Sequence, residues 1–386
     1  MKIKKIYLVT GSRADYGLLY WLIKGLKKEK QFDLSIITTG MHFKSKFGNT
    51  HKEIIKDGFK ITKKINILSS LNTAKGSLLS TSKGISEFSK YFDKNKPDLL
   101  IILGDRFEIF SAVISAYFLN IPIAHISGGE LTYGALDDAI RHSITKMSWW
   151  HFVSTKEYMK RVIQLGEDPN RVFVVGGLGA ESIKKTKLIN KKSLEKIIKF
   201  KFGKKNLIVT YHPETLQPNN AKRQFSEVLK SLKGISNLKI IFTATNADAE
   251  GNIINKMIKE FVNKNPKNTK FIKSFGRISY LSTLKFVDGI VGNSSSGITE
   301  APVFNIGTVN IGDRQNGRIK PKSVIDCKAE KQNIQRSIKK IYSKNFQKKL
   351  KNIDNIYYKG NTSDKIINKI KTFKLPNQLK KSFYDI

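Results

Sequence analysis

Lys5-Ile6-Tyr7-Leu8-Val9-Thr10 runs without a break into Gly11-Ser12-Arg13-Ala14-Asp15-Tyr16-Gly17. Six apolar-rich, partly β-branched residues predict a strand buried on both faces, and the small polar turn behind it predicts a helix from Gly17 to Lys28. The same unit recurs outward along the chain. Strands are expected at Leu34 to Thr39, Leu99 to Leu103, Ile123 to Ile126, Phe152 to Ser154 and Val172 to Val175, alternating with helices at Lys83 to Lys94, Ile109 to Phe118, Asp137 to Met147 and Lys156 to Leu165. A Lys-rich, weakly patterned stretch from Lys184 to Lys205 interrupts the alternation. A second series follows, with strands at Leu207 to Thr210, Lys239 to Thr243, Lys270 to Lys273, Gly289 to Val291 and Thr308 to Ile311 and helices at Lys222 to Leu232, Asn252 to Lys264, Ser279 to Phe286 and Gly297 to Val303. Repeated strand–helix units predict an α/β chain of two Rossmann-like, doubly wound domains, residues 1–183 and 184–361, with residues 362–386 holding a helix that packs back on the first. Ligands of such units bind in the cleft at the carboxyl ends of the strands.

A chain of 386 residues with 40% hydrophobic and 26% charged side chains can bury two such cores. The single cysteine, Cys327, excludes an internal disulfide, and every apolar run is too short to cross a bilayer, so the cytoplasm is the expected compartment and no membrane partner is expected. The formal charge of +39 comes from 70 Lys plus Arg against 31 Asp plus Glu. The excess is mostly Lys spread over helix faces and loops, not a basic stripe interleaved with aromatics, so it predicts an anion-attracting surface and no nucleic-acid partner. Gly11-Ser12-Arg13 is not a spaced dinucleotide fingerprint, and the six histidines show no ligand spacing with Cys327, so neither a nicotinamide nor a metal is called for.

The polar chemistry gathers at strand ends. Arg13 stands in the first turn, just ahead of a helix, where a guanidinium and helix N–H groups together suit a phosphate. Gly104-Asp105-Arg106, Gly128-Gly129-Glu130 and Asp137-Asp138 with Arg141-His142 place acids on consecutive loops of the first half. Asp137 is expected to cap its helix, which leaves Asp138 as the chemical member of that pair. Acids grouped in a partly dry cleft push one another's pKa values apart, so that one holds a proton while another stays ionised. From the second half, His212 is expected to face the cleft as an imidazolium able to neutralise a phosphate or a departing oxygen. Asn246 and Asp248 offer further polar groups to a sugar. Gly292-Asn293-Ser294-Ser295-Ser296-Gly297 is a small-residue turn opening a helix, suited to phosphate oxygens, with Glu300 one turn on for ribose hydroxyls; Arg314 and Arg318 lie on the loop after the next strand.

Taken in order, these motifs resemble the hydrolysing UDP-N-acetylglucosamine 2-epimerases, among them bacterial sialic-acid-pathway enzymes, over nearly the whole chain. The resemblance implies a GT-B fold, a homodimer, and UDP held mainly by the second domain, with Ser294, Ser295 and Glu300 near diphosphate and ribose and with His212 and Arg13 near the phosphates. It implies that Asp105, Glu130 and Asp138 carry the chemistry with His212 assisting, and that Asp15, Arg106, Asp137, Arg141, Asn246, Asp248, Ser296, Gly297 and Arg314 complete the sugar-nucleotide site. The implied reaction eliminates UDP across C1 and C2, then adds water with inversion at C2, converting UDP-N-acetylglucosamine to N-acetylmannosamine and UDP without a cofactor. UDP-N,N'-diacetylbacillosamine, used toward legionaminic acid, is the alternative substrate. A GT-B glycosyltransferase is a more distant alternative that needs an acceptor or membrane patch, for which Trp149-Trp150 is the one candidate and a buried pair the better expectation.

Overall fold

The computed structural model describes residues 3–71, 73–246, 248–353 and 355–386. Strands β1 (Lys4–Thr10), β2 (Phe32–Thr38), β3 (Ile61–Lys64), β4 (Leu99–Leu103), β5 (Ile123–Ile126), β6 (Trp150–Val153) and β7 (Val172–Val174) pair in the order β3-β2-β1-β4-β5-β6-β7. Strands β8 (Lys205–Thr210), β9 (Leu238–Thr243), β10 (Thr269–Ile272), β11 (Gly289–Gly292), β12 (Gly307–Ile311) and β13 (Val324–Cys327) form a second sheet ordered β10-β9-β8-β11-β12-β13. All pairings given are parallel. In each sheet the winding reverses direction beside the first strand, between β1 and β4 and between β8 and β11, which is where an open α/β sheet leaves a crevice for ligands.

The continuous apolar run in β1 has its physical cause in the two layers. Ile6 and Leu8 pack on Leu19, Leu22, Ile23 and Leu26 of helix Arg13–Lys28, while Tyr7 and Val9 meet Phe88, Phe92, Ile109 and Val113 on the opposite face. In β8, Leu207 and Val209 likewise join Phe225, Val228, Ile334 and Ile338, and Ile208 joins Leu194, Ile198, Leu281 and Leu284. A strand covered on both sides has no polar face to alternate with.

Several elements depart from expectation. The first helix begins at Arg13 and not at Gly17, because the Ser12 hydroxyl accepts the Asp15 N–H and caps it. The helix expected from Lys83 starts at Ala74, capped by Thr73. Within the Lys-rich stretch, helix Lys191–Ile198 buries only Leu194 and Ile198, too sparse a pattern to read. The helix expected from Gly297 to Val303 is a single turn, Ser296–Thr299, followed by a 3-10 turn, Ala301–Phe304, since Pro302 has no N–H to continue the ladder. Strands β3 and β13 lie at sheet edges, and none of their residues is fully buried.

Helix Thr362–Thr372 packs against helix Arg13–Lys28: Ile366, Ile367 and Ile370 join the first core, with Ile367 seated over Gly25. Phe373 stacks on Trp150 at 4.2 Å. Trp150 is therefore buried and Trp149 packs beside it, so the pair forms no membrane patch. Among the described residues no helix is long and apolar enough to cross a membrane.

Candidate active site

The carboxyl ends of both sheets face one cleft, which holds two adjoining cavities of about 170 and 210 Å³. Ala14, Leu18, Asn246, Ser295 and Thr299 wall both of them.

The first cavity collects Arg13 from the first helix, His212 from the end of β8, Ser294, Ser295 and Ser296 from the end of β11, and Glu300. β11 ends on Gly292 at φ +137, where a Cβ would lie 1.9 Å from the Thr210 carbonyl oxygen; only glycine lets the strand turn this close to β8. Asn293 then stitches the two strand ends together. Its Oδ1 accepts the His212 N–H at 2.7 Å and its Nδ2 donates to the His212 carbonyl at 2.8 Å. Arg314 and Gln315 donate to the Asn293 carbonyl, drawing the loop after β12 onto the same point. The serine hydroxyls are thereby presented to the cavity, with Ser296 held by Tyr280. Burial raises Glu300, and the Arg13 guanidinium works against that rise.

His212 departs from expectation. Its ring is buried, and its Nδ1 accepts the Asn246 N–H at 3.3 Å. Burial, reinforced by Arg314, pushes its pKa down to about 3. The ring is thus a neutral imidazole with its proton on Nε2, a hydrogen-bond donor toward the cavity and not an imidazolium, because a second N–H would oppose the Asn246 donor.

The second cavity collects Asp15, Asp105, Arg106, Glu130 and Asp137 from the first sheet's loops, with Arg314 and Arg318 arriving from the second. Burial raises Asp105, but the Arg141 guanidinium that donates to it more than reverses the rise, so its pKa is lowered and it stays ionised. Asp137 is pushed the other way, up to about 7, by burial and then by the nearby charges of Asp105 and Asp248. Asp15 rises to about 6 for the same first reason, with Glu108 adding to it. Glu130 pairs with Arg318 at 2.6 Å. One cleft therefore holds an ionised carboxylate beside a carboxyl that carries a proton near neutrality, the separation acid–base work needs.

Four of the expected site residues do not border either cavity. Asp137, not Asp138, turns inward: the helix is preceded by Leu136, no side chain caps it, and Asp137 is its first residue. Asp138 instead accepts the Thr132 N–H at 2.5 Å and pairs with Arg141 at 3.4 Å, so its carboxylate is spent on holding the turn. Arg141 is only 1% exposed, enclosed by Asp105, Thr132 and the Glu130 carbonyl; it orders the acids from behind and has no open path to a ligand. Asp248 faces Arg106 across the cleft at 3.2 Å. Gly297 is buried under Thr308, whose hydroxyl donates to its carbonyl.

Arg318 was expected at this edge of the cleft, but no spacing signal paired it with Glu130. Other residues reach the cavities without having been singled out. Ser127 lines the second cavity with a left-handed backbone, φ 69, a conformation that costs roughly 1–3 kcal/mol and leaves no trace in residue type. Lys273, Arg277 and Tyr280 line the first cavity from a segment that read as plain strand and helix.

The family model for UDP-N-acetylglucosamine 2-epimerase matches residues 24–371. The chain is 42% identical, over 100% of both chains, to the GDP/UDP-N,N'-diacetylbacillosamine 2-epimerase (hydrolyzing) of Campylobacter jejuni. It is 40% identical to the polysialic acid biosynthesis protein P7 of Escherichia coli, covering 100% of this chain and 98% of that protein. In fold it is similar to the crystal structure of UDP-GlcNAc 2-epimerase from Neisseria meningitidis bound to UDP-GlcNAc, at TM-score 0.79 and 20% identity over 96% of this chain and 100% of that one, in keeping with the GT-B arrangement of two facing sheets. With a family match across nine-tenths of its length, a full-length relative and the cleft described above, the chain belongs to the UDP-N-acetylglucosamine 2-epimerase family, as a 2-epimerase of the hydrolysing type.

Proposed function

We propose that the protein cleaves UDP-N,N'-diacetylbacillosamine with water, releasing UDP and the free 2-epimerised sugar. The observation that carries the chemistry is the meeting of Asp105, Glu130 and Asp137 in a cavity adjoining one lined by serine hydroxyls, Arg13 and the His212 ring. The choice of sugar rests on the full-length likeness to the Campylobacter jejuni enzyme.

In this reading the diphosphate lies where the two cavities adjoin, with donors from Arg13, Ser294, Ser295, Ser296 and the Nε2–H of His212. The C2 hydrogen is scarcely acidic, so departure of the diphosphate and removal of that proton must proceed together, the donors stabilising charge as it develops on the leaving oxygen. A carboxylate, Asp105 or Glu130, takes the C2 proton; the C1–O bond breaks with its electron pair leaving on UDP, and a glycal remains. Asp137 then delivers a proton to the opposite face of C2 as water adds at C1; the proton that the water sheds restores Asp137, and the base carboxylate gives up the original C2 proton to solvent. No cofactor enters the balance. A homodimer is part of the same reading, and sedimentation velocity checks it.

The test is incubation with UDP-N,N'-diacetylbacillosamine, its GDP counterpart and UDP-N-acetylglucosamine in D2O, followed by NMR. The expected product of the first is free sugar with deuterium at C2, formed faster than from UDP-N-acetylglucosamine. Faster release from UDP-N-acetylglucosamine would transfer the assignment to that sugar, and sugar appearing only on an added acceptor would make the protein a glycosyltransferase.

A further inference from the structure

The loops that face each other across the cleft do more than approach. Tyr133 donates its N–H to the Asn316 carbonyl at 3.0 Å. A Cβ on Gly134 would lie 2.8 Å from the backbone of Asp313 and Arg314, and one on Gly317, at φ +84, would lie 2.7 Å from Leu131. Two glycines thus let the loop after β5 and the loop after β12 interlock, Gly134 against the backbone of Asp313 and Arg314 and Gly317 against the side chains of Leu131 and Tyr133. Beyond this contact Arg318 reaches back into the first half and meets Glu130 at 2.6 Å, both side chains under a tenth exposed. The next residue is fixed from two sides: Ile319 donates its N–H to the Tyr158 hydroxyl and accepts at its carbonyl from the Tyr357 hydroxyl. A guanidinium carried on a backbone held this way has little freedom to look elsewhere.

We propose that Arg318 is a positioning residue of the epimerase: delivered by the second half as the loops interlock, it fixes the Glu130 carboxylate in the sugar cavity, so that the acid group is complete only in the closed molecule. The inference rests on the epimerase reading given above. Without Arg318 a buried carboxylate loses its only ion-pair partner among the described residues, and a lone buried charge either takes up a proton or turns toward water. Either outcome removes Glu130 from its working position while leaving the first cavity intact. An ion pair at an exposed rim would have no such consequence.

The experiment compares R318M, R318K, E130Q and the double variant E130Q/R318M in turnover of the UDP-sugar and, separately, in UDP binding by calorimetry. R318M is expected to lower kcat by about 100-fold with the Kd for UDP changed by no more than about twofold, and R318K to recover about tenfold of the loss. E130Q/R318M should turn over no more slowly than E130Q, because the arginine acts through the glutamate. The double variant carries no unpaired charge, so it supplies the comparison even where R318M alone folds poorly. An R318M enzyme within about threefold of wild-type kcat, or an equal loss from R318M in the E130Q background, overturns the inference. Wild-type protein that releases no UDP from any of the sugars would defeat the epimerase reading itself, a result separate from either of these.

Discussion

Asp137 and Asp138 are neighbours of one chemical type, and the structure gives them opposite work, so replacing each by Asn separates catalysis from architecture. D137N removes the carboxyl that lines the sugar cavity. Loss of a proton donor in the transition state costs on the order of 10²–10⁴ in kcat. It should also stabilise the protein at neutral pH and above. The folded-state pKa of Asp137 is raised from 3.8 to about 7, so between these values the folded state holds a proton that the unfolded chain has lost, and stability falls as pH rises through the window. An amide cannot ionise and escapes that fall, by at most about 4 kcal/mol at pH 8 relative to pH 4. D138N should behave in the reverse way. Its oxygen can still accept the Thr132 N–H, but the charge that strengthens this bond and pairs with Arg141 is gone, a loss of about 1–3 kcal/mol. Turnover per folded molecule should fall far less than in D137N. Urea unfolding at pH 5 and pH 8, alongside NMR assay of sugar release, reads both quantities. A D138N enzyme as inactive as D137N but of wild-type stability would refute the reasoning and return the chemistry to Asp138.

Three further outcomes follow from the geometry. The ring of His212 in the free enzyme should show no titration of its NMR shifts between pH 5 and pH 8, since its pKa is pushed down to about 3; a midpoint near 6.5 would restore the imidazolium. Gly134 has room for alanine in its own backbone conformation but not against Arg314, so G134A should lower kcat by about tenfold or more through impaired closure, with a melting temperature close to wild type; wild-type kcat would disprove the interlock. Lys381 bonds to Glu167 and to the carbonyls of Lys146 and Ser148 at the amino end of β6, away from the cleft. K381M should therefore cost about 2–4 kcal/mol in urea unfolding, leaving a buried carboxylate less well paired, with kcat of the folded enzyme unchanged; a fall in kcat at unchanged stability would contradict this placement.

Composition and pattern carried the architecture a long way. Runs such as Leu99 to Leu103 and Leu207 to Thr210 are apolar because they are covered on both faces, and that cause acts locally enough to be seen along the chain. Edge strands β3 and β13 escaped because they bury no side chain fully, and helix Lys191–Ile198 because it buries only Leu194 and Ile198. The site motifs were legible too, since strand ends in an α/β fold put their loops in one place, and Asp105, Glu130 and the serine turn do stand at the cleft.

What the order of residues established was which elements form and which loops come together, because hydrophobic period and turn chemistry are properties of neighbours along the chain. What it left open was the state of each group once there. Whether Asp137 or Asp138 turns inward depends on one residue of helix phase, whether His212 is charged depends on a backbone N–H thirty-four residues away, and whether Glu130 has a partner depends on an arginine brought from the other sheet. Burial and Coulomb interaction act through space, and their strength in a dry cleft is decided by distances that exist only when both halves are folded and facing.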